Sequence, residues 1–122
     1  LVAVGRPRAL ALSWAFAVGG WAAEGLIGWL SLRAFGLPAT MEASMLVVIG
    51  TTLSSAASVS PGNAGAFELA CVVALATLGI PREPALAFAL GYHAVHVVPV
   101  ALLGGGWLLG HGYKGALARE AP

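Results

Sequence analysis

Four ionisable side chains stand where the sequence offers little else that is charged: Glu24, Glu68, His93 and His96. Glu24 has Gly20 and Gly28 at four-residue spacing, so on a helix one face reads Gly-Glu-Gly. Such a face lets another helix approach closely around a carboxylate. Two roles stay open for Glu24: a hydrogen bond to a neighbouring helix, or direct contact with a substrate or proton. His93 and His96 lie three residues apart, one turn before Pro99, and share a helix face. Imidazoles so placed accept protons or hold a phosphate; plain packing is the alternative. With Glu68 and Cys71 they include the side-chain types zinc uses, but no zinc-ligand spacing is present, and no metal or cofactor is expected. No catalytic nucleophile motif, dinucleotide fingerprint or P-loop occurs.

The segment Ser58–Glu68, Ser-Val-Ser-Pro-Gly-Asn-Ala-Gly-Ala-Phe-Glu, interrupts two charge-free stretches, Ala43–Phe67 and Leu69–Pro81. Pro61 removes a backbone donor, and Gly62 permits angles closed to other residues. The amides of Asn63–Ala66, including that of Gly65, then open a helix, and a helix start favours a phosphate or carboxylate. Glu68, in the first turn, either satisfies those amides itself or engages a cationic part of a substrate. Thr51, Ser54, Ser55 and Ser58 give the preceding helix a hydroxyl face that leads to the break, suited to helix packing or to lining a polar pocket.

The elements that carry these residues belong to a lipid solvent. Of 122 residues 59% are apolar and 9% charged, against about 25% charged in a soluble domain. Pro84–Tyr113 spans 30 residues without a formal charge and Ala43–Phe67 another 25; about 18 suffice for a spanning candidate. A net charge of +1 gives no reason to expect a nucleic-acid partner, and the single cysteine excludes an internal disulfide.

The expected fold is all-α, a polytopic transmembrane helix bundle with helices at about 10–32, 41–57, 64–79 and 84–109. The middle two form a broken hairpin that either spans twice or re-enters. At 1.5 Å per residue they reach only about 24–26 Å, short of a hydrocarbon core of about 30 Å. Pro99 predicts a kink and Gly104-Gly105-Gly106 a loosening of the last turns. Arg6, Arg8, Lys114 and Arg119 against Arg33 and Arg82 place both ends on the cytoplasmic side. A chain opening on Leu1–Gly5 reads as the C-terminal portion of a larger membrane protein, whose preceding helices are then partners of these.

Ser60-Pro61-Gly62-Asn63-Ala64-Gly65-Ala66-Phe67-Glu68 resembles the Pro-Gly-Gly-x-Gly-x-x-Glu signature of the lysylphosphatidylglycerol synthase membrane-region family, also called flippase-like domain proteins. Leu78-Gly79-Ile80-Pro81, Ala85–Leu90, Tyr92-His93 and Pro99 to Gly104 are similar to the same family, as is Glu24 in a tryptophan-containing helix. Asn63 stands where a second glycine is common, and Ser58 where many members have proline. The resemblance covers about 10–106 and implies a bacterial inner-membrane domain that translocates a phospholipid, glycolipid or polyprenoid. It implies membrane lipids as ligands and a lipid synthase or glycosyltransferase as partner. The expected headgroup contacts are Glu24, Ser58, Pro61, Gly62, Asn63, Gly65, Glu68, His93 and His96. Two other readings stay open: an intramembrane enzyme of envelope metabolism with His93 and Glu68 as acid and base, and a non-catalytic subunit of a lipid synthase.

Overall fold

The computed structural model describes residues 7–57 and 60–120, the stretch 111–120 by backbone alone. Its helices are α1 (Pro7–Ala34), α2 (Met41–Ala57), α3 (Ala66–Ala76) and α4 (Arg82–Glu120), with a 3₁₀ turn at Pro61–Asn63. The architecture is an all-α membrane helix bundle.

Two Gly-apolar-Pro triplets punctuate it. Gly36 at φ +67° ends α1, and the Leu37 amide reaches back to the Leu32 carbonyl at 2.9 Å. Gly79 at φ +75° closes the α3 end, and the Ile80 amide reaches the Leu75 carbonyl at 3.1 Å. This six-residue closure satisfies carbonyls a helix end leaves open, and the following Pro38 or Pro81 prevents further helix. At the start of α2 the Thr40 hydroxyl accepts from the Ala43 amide at 3.1 Å, a side-chain cap. Pro7 stands at the first position of α1, where its missing N–H costs nothing.

α1 and the Arg82–Gly110 part of α4 are long and apolar enough to cross a membrane. Trp14, Phe16, Val100, Leu103 and Leu109 are each at least 70% exposed, far more apolar surface than a soluble monomer shows to water. The core sits at one end of the bundle, where Leu32 of α1, Val47 of α2, Cys71 and Leu75 of α3, and Phe88 and Tyr92 of α4 are buried together. Close approach of α1 to α2 depends on glycine: the Ser44 hydroxyl donates to the Gly25 carbonyl at 2.6 Å, and a Cβ on Gly28 would stand 2.8 Å from the same hydroxyl.

The hairpin α2–α3 is short. Its limbs of 17 and 11 residues rise about 26 and 17 Å, and its tip meets α4 at His93, eleven positions beyond the start of that helix. The break therefore lies about 16 Å along α4 from its start.

Three segments differ from the sequence-based expectation. α3 begins at Ala66 because Gly62 (φ +66°), Asn63 (φ +58°) and Gly65 (φ +85°) turn left-handed, a conformation no right-handed helix includes. It stops at Ala76 because its end is wound into the Gly79 closure. α4 continues past Leu109 through Gly104-Gly105-Gly106; helical glycine costs about 1 kcal/mol in water, but in lipid no solvent replaces a broken backbone bond.

Candidate functional site

At the level of the break, α1, the hairpin tip and α4 contribute one acid–base pair each way. His93 Nδ1 lies 2.5 Å from Glu68 Oε1, and His93 Nε2 lies 2.9 Å from the Gly62 carbonyl oxygen. One turn on, His96 Nε2 lies 3.0 Å from Glu24 Oε2, and His96 Nδ1 lies 2.8 Å from the Tyr92 carbonyl oxygen. A carbonyl oxygen only accepts. His93 Nε2 and His96 Nδ1 therefore carry hydrogens, and the two rings are pinned through opposite nitrogens.

The other Glu68 oxygen, Oε2, accepts from the Gly65 amide at 2.7 Å. Glu68 thus caps its own helix, and the anion position expected at the start of α3 is filled from within. The Gly65 and Gly62 backbone, Glu68 and His93 make one closed chain of hydrogen bonds.

Asn63 closes the tip onto α2. Its side-chain amide donates to Ser54 Oγ at 3.1 Å and Ser55 Oγ at 2.8 Å, and both hydroxyls donate onward to the Thr51 carbonyl at 2.8 Å. Asn63 Oδ1 is buried with no hydrogen-bond partner, an arrangement that typically costs about 1–3 kcal/mol.

Aromatic side chains hold the imidazoles in place. Phe67 stacks on His93 with centroids 4.5 Å apart and planes 19° apart, and Tyr92 meets His96 edge-on at 4.5 Å. Phe88 stacks in turn on Tyr92 at 5.2 Å. The 88, 92, 96 spacing places these three on one helix face. Phe67 and Tyr92 are supporting residues that sequence reasoning passed over as site members. The four-residue aromatic spacing and the position of Phe67 next to Glu68 were the available signals.

A cleft of about 430 Å³ opens on this constellation. Ser55, Gly62, Asn63, His93 and His96 line its polar part, and Phe67, Val97, Val100 and Ala101 its apolar part. A second groove, about 320 Å³, lies between α1 and α2 and is lined by Gly20, Trp21, Glu24 and Thr52. The Glu24 carboxylate faces both sides: one oxygen holds His96, and the side chain remains 45% exposed.

Among the expected contacts, Gly62, Asn63, His93 and His96 line the 430 Å³ cleft, while Glu68 and Glu24 anchor its two imidazoles. Pro61 and Gly65 shape the exposed tip. Ser58 lies outside the described residues. Gly28 fits the Gly-Glu-Gly face, abutting Ser44, Val48 and Tyr92; Gly20 has nothing within 4 Å of where a Cβ would be. Arg33 stacks over the Trp29 ring at 5.4 Å, and Trp29 donates to the Ala39 carbonyl at 2.7 Å.

A family model described as the lysylphosphatidylglycerol synthase TM region matches residues 1–104. None of the curated proteins and none of the solved structures compared matches the chain.

Proposed function

The chain belongs to the lysylphosphatidylglycerol synthase TM region family, membrane proteins of lipid metabolism, and from that premise we propose that it translocates a lipid across the bacterial cell membrane. In this reading α1 and α4 cross the bilayer as spans of a multi-pass domain, both ends of the chain are cytoplasmic, and α2–α3 re-enters to about mid-depth. The headgroup of a phospholipid, glycolipid or polyprenoid enters the cleft beside the break while its tail stays in lipid. A lipid synthase or glycosyltransferase supplies the substrate.

The observation that carries the reading is the change of character along the cleft. Polar groups of Ser55, Gly62, Asn63, His93 and His96 give way to Val97, Val100 and Ala101 within about 12 Å of helix. That is the profile of an amphiphile, and helices interrupted at membrane depth are a known setting for such sites.

The acid–base enzyme reading fares less well on the same geometry. A general base needs a free nitrogen facing the reacting proton, and both His93 nitrogens are engaged, one on Glu68 and one on Gly62.

The test is a leaflet-exchange assay on proteoliposomes with fluorescent phospholipids. Glu68→Gln is expected to slow exchange at least tenfold at matched protein abundance. Equal exchange by the variant would overturn the assignment of the headgroup site.

A further inference from the structure

Two histidines from one helix face are held in the same electrical arrangement by unrelated parts of the fold. Each has one nitrogen on a backbone carbonyl and the other on a carboxylate: His93 between Gly62 and Glu68, His96 between Tyr92 and Glu24. The carbonyl fixes a hydrogen on its nitrogen, so each contact to a carboxylate contains one further proton. It rests on the imidazole, giving an ion pair, or on the carboxyl, giving a neutral pair. The sum is zero in both cases.

The pairs are stable only with that proton. Without it, an imidazole lone pair faces a carboxylate oxygen at 2.5 or 3.0 Å, with nothing between them to share. With a second proton, an imidazolium N–H faces a carboxylic acid; the strong bond is gone, and the ring is free to turn its N–H into the cleft. The other groups facing the pairs add no compensating positive charge. Cys71 comes from α3 and Tyr92 from α4, both buried. The tip and α2 present hydroxyls and amides at Ser54, Ser55 and Asn63, and among the described residues no Lys or Arg pairs with either carboxylate.

An anionic group entering this neutral cleft alone would bring an unpaired charge into a poorly solvated place. Entering with one proton, it leaves the sum unchanged: the proton resides on the Glu68 or Glu24 carboxyl, and the released imidazolium donates to the anion. No other bond forms or breaks. We propose that the Glu68–His93 and Glu24–His96 pairs take up a proton together with an anionic phosphate group, so that movement of anionic lipid through the cleft is coupled to proton flow. This rests on the translocase reading. The apolar wall at Val97 and Val100 favours a lipid phosphate over the free ion.

The test places the intact protein in phosphatidylcholine vesicles that enclose a pH-sensitive dye and carry a trace of fluorescent phosphatidylglycerol. For one proton per lipid, an imposed gradient of about one pH unit shifts the steady-state leaflet ratio about tenfold, and the gradient-driven lipid movement carries protons that the dye records. Fluorescent phosphatidylcholine, net neutral, shows no such shift. Added inorganic phosphate alone causes no acidification; if it does, the ligand is the free ion and the lipid coupling falls. Glu24→Gln lowers the gradient response to twofold or less. A readout that needs no variant is infrared difference spectroscopy of the wild type, where phosphatidylglycerol raises one band from the added proton: a protonated-carboxyl band from an ionic pair, an imidazolium band from a neutral one. Lipid exchange indifferent to the gradient, without that band, overturns the coupling and leaves the translocase reading standing. Absence of any exchange overturns both.

Discussion

His93 and Glu68 are twenty-five positions apart, yet Nδ1 and Oε1 meet at 2.5 Å and tie the long helix α4 to the tip of the short hairpin. The tie is closed at both ends, because Glu68 also caps Gly65 and His93 also holds the Gly62 carbonyl. Three left-handed positions, Gly62, Asn63 and Gly65, bring those backbone groups within reach. Backbone conformation at the tip and side-chain chemistry on α4 therefore determine each other, and any change of protonation at the pair is felt by the turn.

Opposite ring nitrogens carry the fixed hydrogens. Nitrogen-15 spectra of histidine-labelled protein in lipid at neutral pH are expected to show a proton-bearing Nε2 for His93 and a proton-bearing Nδ1 for His96, assigned by the His93→Gln and His96→Gln spectra. Carbonyl contacts to Gly62 and Tyr92 dictate this pattern. A bare Nε2 at His93 would mean that the Gly62 contact is not a hydrogen bond.

Gly20 and Gly28 flank Glu24 identically in the sequence and differ in the fold. A methyl at Gly28 meets the Ser44 hydroxyl at 2.8 Å, and Ser44 is fully buried and already committed to the Gly25 carbonyl. A methyl at Gly20 meets nothing within 4 Å. Gly28→Ala is expected to destabilise by about 1–3 kcal/mol, through strain between α1 and α2, and Gly20→Ala to change stability by less than about 0.5 kcal/mol or to raise it slightly. Thermal unfolding of both variants in the same detergent decides it; equal losses would sink the distinction.

The elements were legible because lipid leaves few options. Charge-free runs must be helices, and Gly36-Leu37-Pro38 or Gly79-Ile80-Pro81 must end them. His93 and His96 were placed on one face by spacing alone. What spacing could not supply was the partner of each: Glu24 lies 72 positions from His96, and only the short reach of α2 and α3 puts the tip at its level. The capping role of Glu68 was visible as one of two options, since a carboxylate three positions after Gly65 can reach back. Choosing between a self-satisfied helix start and an open one needed the actual angles at Gly65. Phe67 was missed because its place beside Glu68 is a weak signal until the stack on His93 gives it a role.

Asn63 separates backbone from side-chain contributions at the tip. It holds φ +58° and donates twice, to Ser54 and Ser55, while its Oδ1 stays buried without a partner. Asn63→Gly and Asn63→Ala both lose the two donated bonds and both remove the orphaned oxygen. Their difference therefore reports the left-handed backbone, which alanine tolerates less well than glycine by about 1 kcal/mol. Asn63→Gly is expected within about 1 kcal/mol of the parent, since two lost bonds of about 1 kcal/mol each offset a relieved burial penalty of similar size. Asn63→Ala should unfold about 1 kcal/mol more easily than Asn63→Gly in the same micelles. Equal stabilities would show that the turn relaxes out of its left-handed form, and with it the reach of the Gly62 carbonyl to His93.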